Sequence, residues 1–172
     1  QREPQFFGIY HGAVTFNQLF SPTDTATATS QMAASTNAAA GYAITVNGAT
    51  LTSGANTIPA MSTSGLGVRG TGQFGMNLKL NTVTTSTVAV GAEVSPAADG
   101  VDLKGQSHVV NGYGTVDFFK FVTGQVVAES TNGGAGPTNS QVYTASYIVN
   151  VAGNQASGTY TTTLTYICTA TY

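Results

Sequence analysis

Tyr160-Thr161-Thr162-Thr163-Leu164-Thr165-Tyr166-Ile167-Cys168-Thr169-Ala170-Thr171-Tyr172 closes the chain, and its period of two decides the fold. One side of an extended backbone would carry Tyr160, Thr162, Leu164, Tyr166, Cys168, Ala170 and Tyr172. The other would carry Thr161, Thr163, Thr165, Ile167, Thr169 and Thr171. Successive side chains of a strand point to opposite faces, so this spacing predicts a long strand with one buried and one hydroxylated face. Gly158 marks its entry.

The same alternation recurs upstream. Val142–Val151 places Tyr143, Ala145, Tyr147, Val149 and Val151 on one side. The link 152–158 reads as a hairpin loop, which predicts antiparallel pairing of this strand with the last one. Phe74, Met76, Leu78 and Leu80 form an inward row opposed by Gly75, Asn77 and Lys79, and Tyr42, Ile44 and Val46 form another. Asn47-Gly48 supplies the residue types of a type I′ turn, so 49–52 is expected to fold back. Val83–Val94 and Val116–Val127 complete the strand regions, each broken by its glycine, Gly91 or Gly124. Loops are expected at 53–72, 95–105 and 130–139. Ala33–Ala40 is rich in alanine, but Ser35, Thr36, Asn37 and the following Gly41 weaken it as a helix.

Composition agrees with an all-β chain. The 172 residues suit one domain, long enough to bury a core without disulfides or metal. Only 7% of residues are charged, against about 25% in an average domain. Polarity comes instead from 28 Thr and 13 Ser. Thr, Val, Ile, Tyr and Phe fit a pleated surface, and a net charge of −2 is far from that of a disordered chain. So weakly charged a surface repels its neighbours little and permits self-association. Nucleic acid is excluded as a partner, because Arg2, Arg69, Lys79, Lys104 and Lys120 are too few and too scattered for phosphate contacts. No apolar stretch is long enough to span a bilayer as a helix. A first residue of Gln1 rather than Met leads us to expect a processed, exported protein.

The N-terminal stretch differs from the rest. Polar residues 1–5 precede Phe6, Phe7, Ile9, Tyr10, Val14, Phe16, Leu19 and Phe20, interrupted by Gly8 and Gly12. Two readings stand side by side: the first strand of the sandwich, or a strand given to a second subunit, where main-chain bonds along an edge and apolar plugs supply the affinity. We therefore divide the chain into an extended segment, 1–20, and a sandwich domain, 21–172.

The closing run from Gly158 through Tyr166 to Tyr172 resembles the last strand of secreted bacterial surface proteins of the spore-coat-U and pilin type. Ser35-Thr36-Asn37 with Gly41–Gly48, and Gln73–Leu78, are similar to exported β-sandwich proteins. The resemblance implies an antiparallel Ig-like or jelly-roll-type sandwich used in pili, coats or surface layers, often with strand exchange between subunits. The chain departs from the spore-coat-U pattern in lacking its cysteine pair, so no functional residue is carried over.

Chemistry-bearing groups are sparse. Asp99 and Asp102, around Gly100, are a weak calcium candidate, with a solvated turn as the plainer reading. Ser107, His108 and Asp102 contain the residue types of a nucleophilic triad, but neighbourhood in sequence does not make one, and no nucleophile elbow or His-Glu-x-x-His pair is present. Cys168, the only cysteine, reads as a small core residue or as a link between subunits. The row Thr161, Thr163, Thr165 suits either a solvated strand face or a ligand surface. These observations lead us to expect a structural subunit rather than an enzyme. It would need no cofactor, lie at the cell surface, and join copies of itself through Phe6, Phe7, Ile9, Tyr10, Val14 and Phe16 on one side and Tyr160, Leu164, Tyr166 and Tyr172 on the other. A carbohydrate-binding or adhesive module, with surface glycans as partners, is the alternative.

Overall fold

The computed structural model describes residues 12–82, 90–96, 106–131 and 137–172. In chain order its strands are β1 (Ala26–Thr36), β2 (Tyr42–Gly48), β3 (Thr52–Ser53), β4 (Asn56–Thr57), β5 (Gly65–Leu66) and β6 (Gln73–Asn77). They continue as β7 (Ser95–Pro96), β8 (Gln106–Val109), β9 (Phe118–Phe119), β10 (Gln125–Thr131), β11 (Thr138–Asn150) and β12 (Leu164–Ala170). The described residues contain no helix. Two antiparallel sheets make a sandwich-like arrangement, as the alternation predicts. The first runs β1–β11–β6, with β7 also on β11, and the second runs β12–β2–β10–β8.

β11 organises the first sheet. Residues 141–142 meet β7 and 146–150 meet β6, while β1 pairs along nearly its whole length. Tyr143, Ala145, Tyr147 and Val149 face the core, as expected. The opposite face is buried too, through Thr144, Ser146, Ile148 and Asn150. That second burial comes from an outer cover. Met61 and Phe119 pack on Ile148, and Lys120 exchanges both main-chain bonds with Met76, each at 3.0 Å. Gly75 permits this approach, since a Cβ there would lie 2.9 Å from both Met61 Sδ and Phe119 Cβ.

The cover also explains two side chains that the alternating pattern misplaces. Asn77, expected on an exposed face, is fully buried, while Leu80, expected inside, is exposed. Asn77 is tolerated there because it is satisfied. Its Nδ2 donates to Asn81 Oδ1 at 2.6 Å and to Phe118 O at 3.0 Å, and Asn81 Nδ2 donates back to Asn77 Oδ1 at 2.9 Å.

Three further expectations need correction. β11 and β12 do not form a hairpin: they belong to opposite sheets, and residues 151–163 carry the chain across. β11 already has neighbours on both sides, so β12 pairs with β2 in an unshifted register from Leu164↔Gly48 to Ala170↔Tyr42. Asn47-Gly48 is not a turn, because Asn47 is paired with Thr165 inside the sheet. The type I′ geometry occurs instead at Asn111-Gly112, where φ is +57° and +86° and Tyr113 N–H donates to Val110 O at 3.1 Å. The Ala-rich stretch forms no helix, in line with its Ser35, Thr36 and Asn37, and Ala33–Thr36 ends β1. Finally, the last strand is shorter than its alternation. Half-burial on the Tyr160–Ala170 face persists, but the ladder covers only Leu164–Ala170.

The expected interruption at Gly124 is present, with φ of +77°, whereas of the expected strand Val83–Val94 residues 83–89 lie outside the described residues and 91–94 form no strand, with Gly91 at φ +93°. The main core joins both sheets through Ala26, Met32, Tyr42, Ile44, Phe74, Met76, Val127 and Tyr147, among others. Two tyrosine pairs tie the sheets together: Tyr42 Oη with Tyr143 Oη, and Tyr147 Oη with Tyr166 Oη, each at 2.7 Å.

Candidate assembly edge

A strand at the margin of a sheet presents unpaired main-chain groups that another strand can use. Among the described residues, β1 and β8 end their sheets on one side each, and β12 ends the second sheet on the side away from β8. Thr171 N–H donates to Gly41 O at 2.8 Å, in the same register as the β12–β2 ladder. By alternation, the N–H and C=O groups of Leu164, Tyr166, Cys168 and Ala170 face the unpaired margin.

The inward side chains of β12 have an unusual environment. Leu164, Tyr166 and Cys168 pack against the main core, yet all three, with Ala170, are only half-buried. Tyr166 reaches furthest in, where its hydroxyl donates to Met76 Sδ at 3.3 Å and meets Tyr147 Oη. Burial, followed by the neighbouring Tyr147, holds the Tyr166 phenol well above its ordinary pKa. Burial likewise pushes the Cys168 thiol from 9.0 to about 11, so at neutral pH it is a protonated apolar group rather than a nucleophile.

The remaining residues of the expected interface fall as follows. Tyr160 is half-buried against the core, its hydroxyl donating to Ala156 O at 2.7 Å, whereas Tyr172 is 79% exposed. On the N-terminal side, Val14 is 41% exposed and Phe16 is half-buried against the main core. Phe6, Phe7, Ile9 and Tyr10 lie outside the described residues. Residues 12–20 contain no strand, so the described part of this segment does not serve as a first strand of the sandwich.

The chemistry-bearing candidates do not converge. Asp99 and Asp102 lie outside the described residues, as does any triad that would need Asp102. His108 is on β8 rather than on a loop, exposed, and opposite Glu129 of β10. No group of three His, Cys, Asp or Glu side chains among the described residues could hold a metal ion. Thr161, Thr163 and Thr165 are all exposed. No helix among the described residues is long and apolar enough to cross a membrane.

Sequence reasoning found the inward row of β12 but missed two features that give it meaning. One is β1, whose alternation Ala26, Ala28, Met32, Ala34 is carried mostly by alanines. The other is the outer cover, whose Met61, Phe119 and Lys120 lie in loops or in a two-residue strand. No family model, curated protein or solved structure matches the chain.

Proposed function

We propose that the protein is a structural subunit of an extracellular filament or surface layer, in which the N-terminal segment of one copy adds as a strand along the unpaired margin of β12 in the next. The observation that carries this reading is the half-burial of Leu164, Tyr166, Cys168 and Ala170 on a strand that is already fully paired with β2. One more strand would fit along the unpaired margin of β12. Such a strand supplies main-chain hydrogen bonds for register and alternate apolar side chains for affinity.

The N-terminal segment suits the donor role. Phe7, Ile9, Val14 and Phe16 bring apolar volume, and Gly8 and Gly12 allow close approach. Full burial of each large side chain is worth roughly 1.5–3 kcal/mol before ordering costs. The scarcity of charge supports the reading too, since few side chains would be left unpaired in a joint between copies.

Deleting residues 1–14, which removes the arm and spares Phe16, tests it. The truncated protein is expected to fold but to remain monomeric by analytical ultracentrifugation, and to show no fibres or sheets in negative-stain electron microscopy. Assembly equal to that of the full chain would sink the proposal. A full chain that stays monomeric at all concentrations and binds a glycan array would replace it with the adhesive reading.

A further inference from the structure

Phe16 is part of the proposed donor, but in the folded chain it is engaged with its own subunit. Its ring packs against the main core and meets Phe20 edge-to-face, with centroids 5.6 Å apart and planes at 78°. Between the two rings, Asn17 has φ of +52°, a left-handed conformation that Asn accepts more readily than most residues. Thr15 Oγ1 donates to Asn17 Oδ1 at 2.6 Å, bracing the backbone across Phe16. The flanking apolar side chains behave differently: Val14 is 41% exposed and Leu19 is 93% exposed.

The chain beyond this point is fastened further. Asp24 N–H donates to Ser21 O at 3.2 Å, and the Asp24 carboxylate lies 3.8 Å from Arg69. Thr25 Oγ1 then donates to Asn150 Oδ1 at 2.6 Å, at the start of β1. A strand laid along β12 of another copy needs extended φ at every residue it contributes, and Asn17 does not have it. Nor can one phenylalanine ring lie against its own core and in a neighbour at once.

We infer that Phe16 and Phe20 form a clasp anchoring the arm to its own subunit, with Asn17 as a fixed elbow, so that the length offered to a second copy of this chain ends at Thr15. The identity of the partner rests on the strand-addition reading. The clasp is a property of the single subunit.

The test uses the full chain with Phe16→Ala, Phe20→Ala, the double variant and Val14→Ala. Two quantities are read for each: the urea midpoint of dilute monomer and the fraction that sediments at high concentration. The clasp predicts that Phe16→Ala lowers the folding equilibrium constant by about tenfold or more. It predicts that the two Phe effects are non-additive, and that Val14→Ala changes sedimentation while leaving the midpoint in place. Asn17→Gly should keep both readouts and Asn17→Val should lower the midpoint, because a β-branched residue resists positive φ. If Phe16→Ala does not fold, Phe16→Leu carries the same comparison with a smaller shift. An unchanged monomer midpoint with lost sedimentation for Phe16→Ala would overturn the inference and make Phe16 a plug in the neighbour. A full chain that never sediments defeats strand addition, and the midpoints still decide the clasp.

Discussion

β1 and β12 each end a sheet, and both turn every second side chain toward the same core. Ala26, Ala28, Met32, Ala34 and Thr36 of β1 are buried and only Ser30 of that row is half-exposed, whereas Leu164, Tyr166, Cys168 and Ala170 of β12 are all half-exposed. Alanines need little cover, and β1 lies against nearly the whole of β11, from Thr138 to Val149. The larger row on β12 stands beside a margin that no described residue closes. The unpaired main chain of an edge therefore says little by itself about assembly. What separates a finished edge from an unfinished one is whether the side chains behind it are already dry.

The sharpest way to break this comparison is to place the same charge in each row. Ala34→Asp on β1 would bury a carboxylate without a partner, and the cost is expected to be several kcal/mol, enough to unfold a domain of ordinary stability. Ala170→Asp on β12 would leave the carboxylate in contact with water, so the monomer should keep a cooperative urea transition, and under the proposed strand addition it should fail to sediment as a polymer. Equal damage to the monomer from both substitutions, read by circular dichroism and urea titration, would show that β12 is as finished as β1.

How far the two edges were legible in the sequence follows from the same chemistry. The β12 row was readable because Leu, Tyr and Thr contrast strongly in polarity, so the period of two stands out over the background. β1 was not, since Ala alternating with Thr, Ser and Gln gives little contrast and overlaps with helix preference. β2 and the inward face of β11 read correctly for the same reason as β12, as did the all-β class. Pairing was harder. The link after β11 resembled a hairpin loop, and only the presence of β6 and β7 on the other side of β11 from β1 rules that out. Asn-Gly pairs mark permissible turns rather than actual ones, so a sheet register captured Asn47 while Asn111 made the turn. Asn77 is the clearest case of a third layer reversing a local rule, because its burial depends on Asn81 and Phe118, which no periodicity connects to it.

A smaller effect sharpens the comparison by cutting the link between the edges. Ser30 Oγ of β1 lies 2.9 Å from Tyr147 Oη, which in turn lies 2.7 Å from Tyr166 Oη of β12. Tyr147→Phe removes the shared middle member and leaves two hydroxyls short of a partner, at an expected cost of about 1–2 kcal/mol in urea denaturation. Tyr166→Phe should cost less, because it takes one partner from Tyr147 Oη, which keeps Ser30 Oγ as the other. The reverse order would mean that the Tyr166 hydroxyl, held between Tyr147 Oη and Met76 Sδ, matters more to the row than its middle member.

The smallest expected effect, and the most local, is read at Cys168. Its thiol is held protonated by burial up to about pH 11, whereas in the unfolded chain it ionises near 9.0. A group whose proton is held more tightly in the folded state gives stability that is fully present below the unfolded value and is lost as pH rises. The monomer should therefore weaken across pH 9 to 11, and Cys168→Ala should make that part of the profile shallower. The tyrosines Tyr42, Tyr113, Tyr147 and Tyr166, all with raised pKa values, add a further loss above pH 10 in both proteins, so the comparison is made by difference. The same thiol reports on the edge at neutral pH. Because Cys168 is half-buried beside an unpaired margin, a maleimide should label the monomer slowly but completely. A strand added along β12 would cover it and suppress labelling in assembled material, whereas assembly through β1 or β8 would leave the rate unchanged.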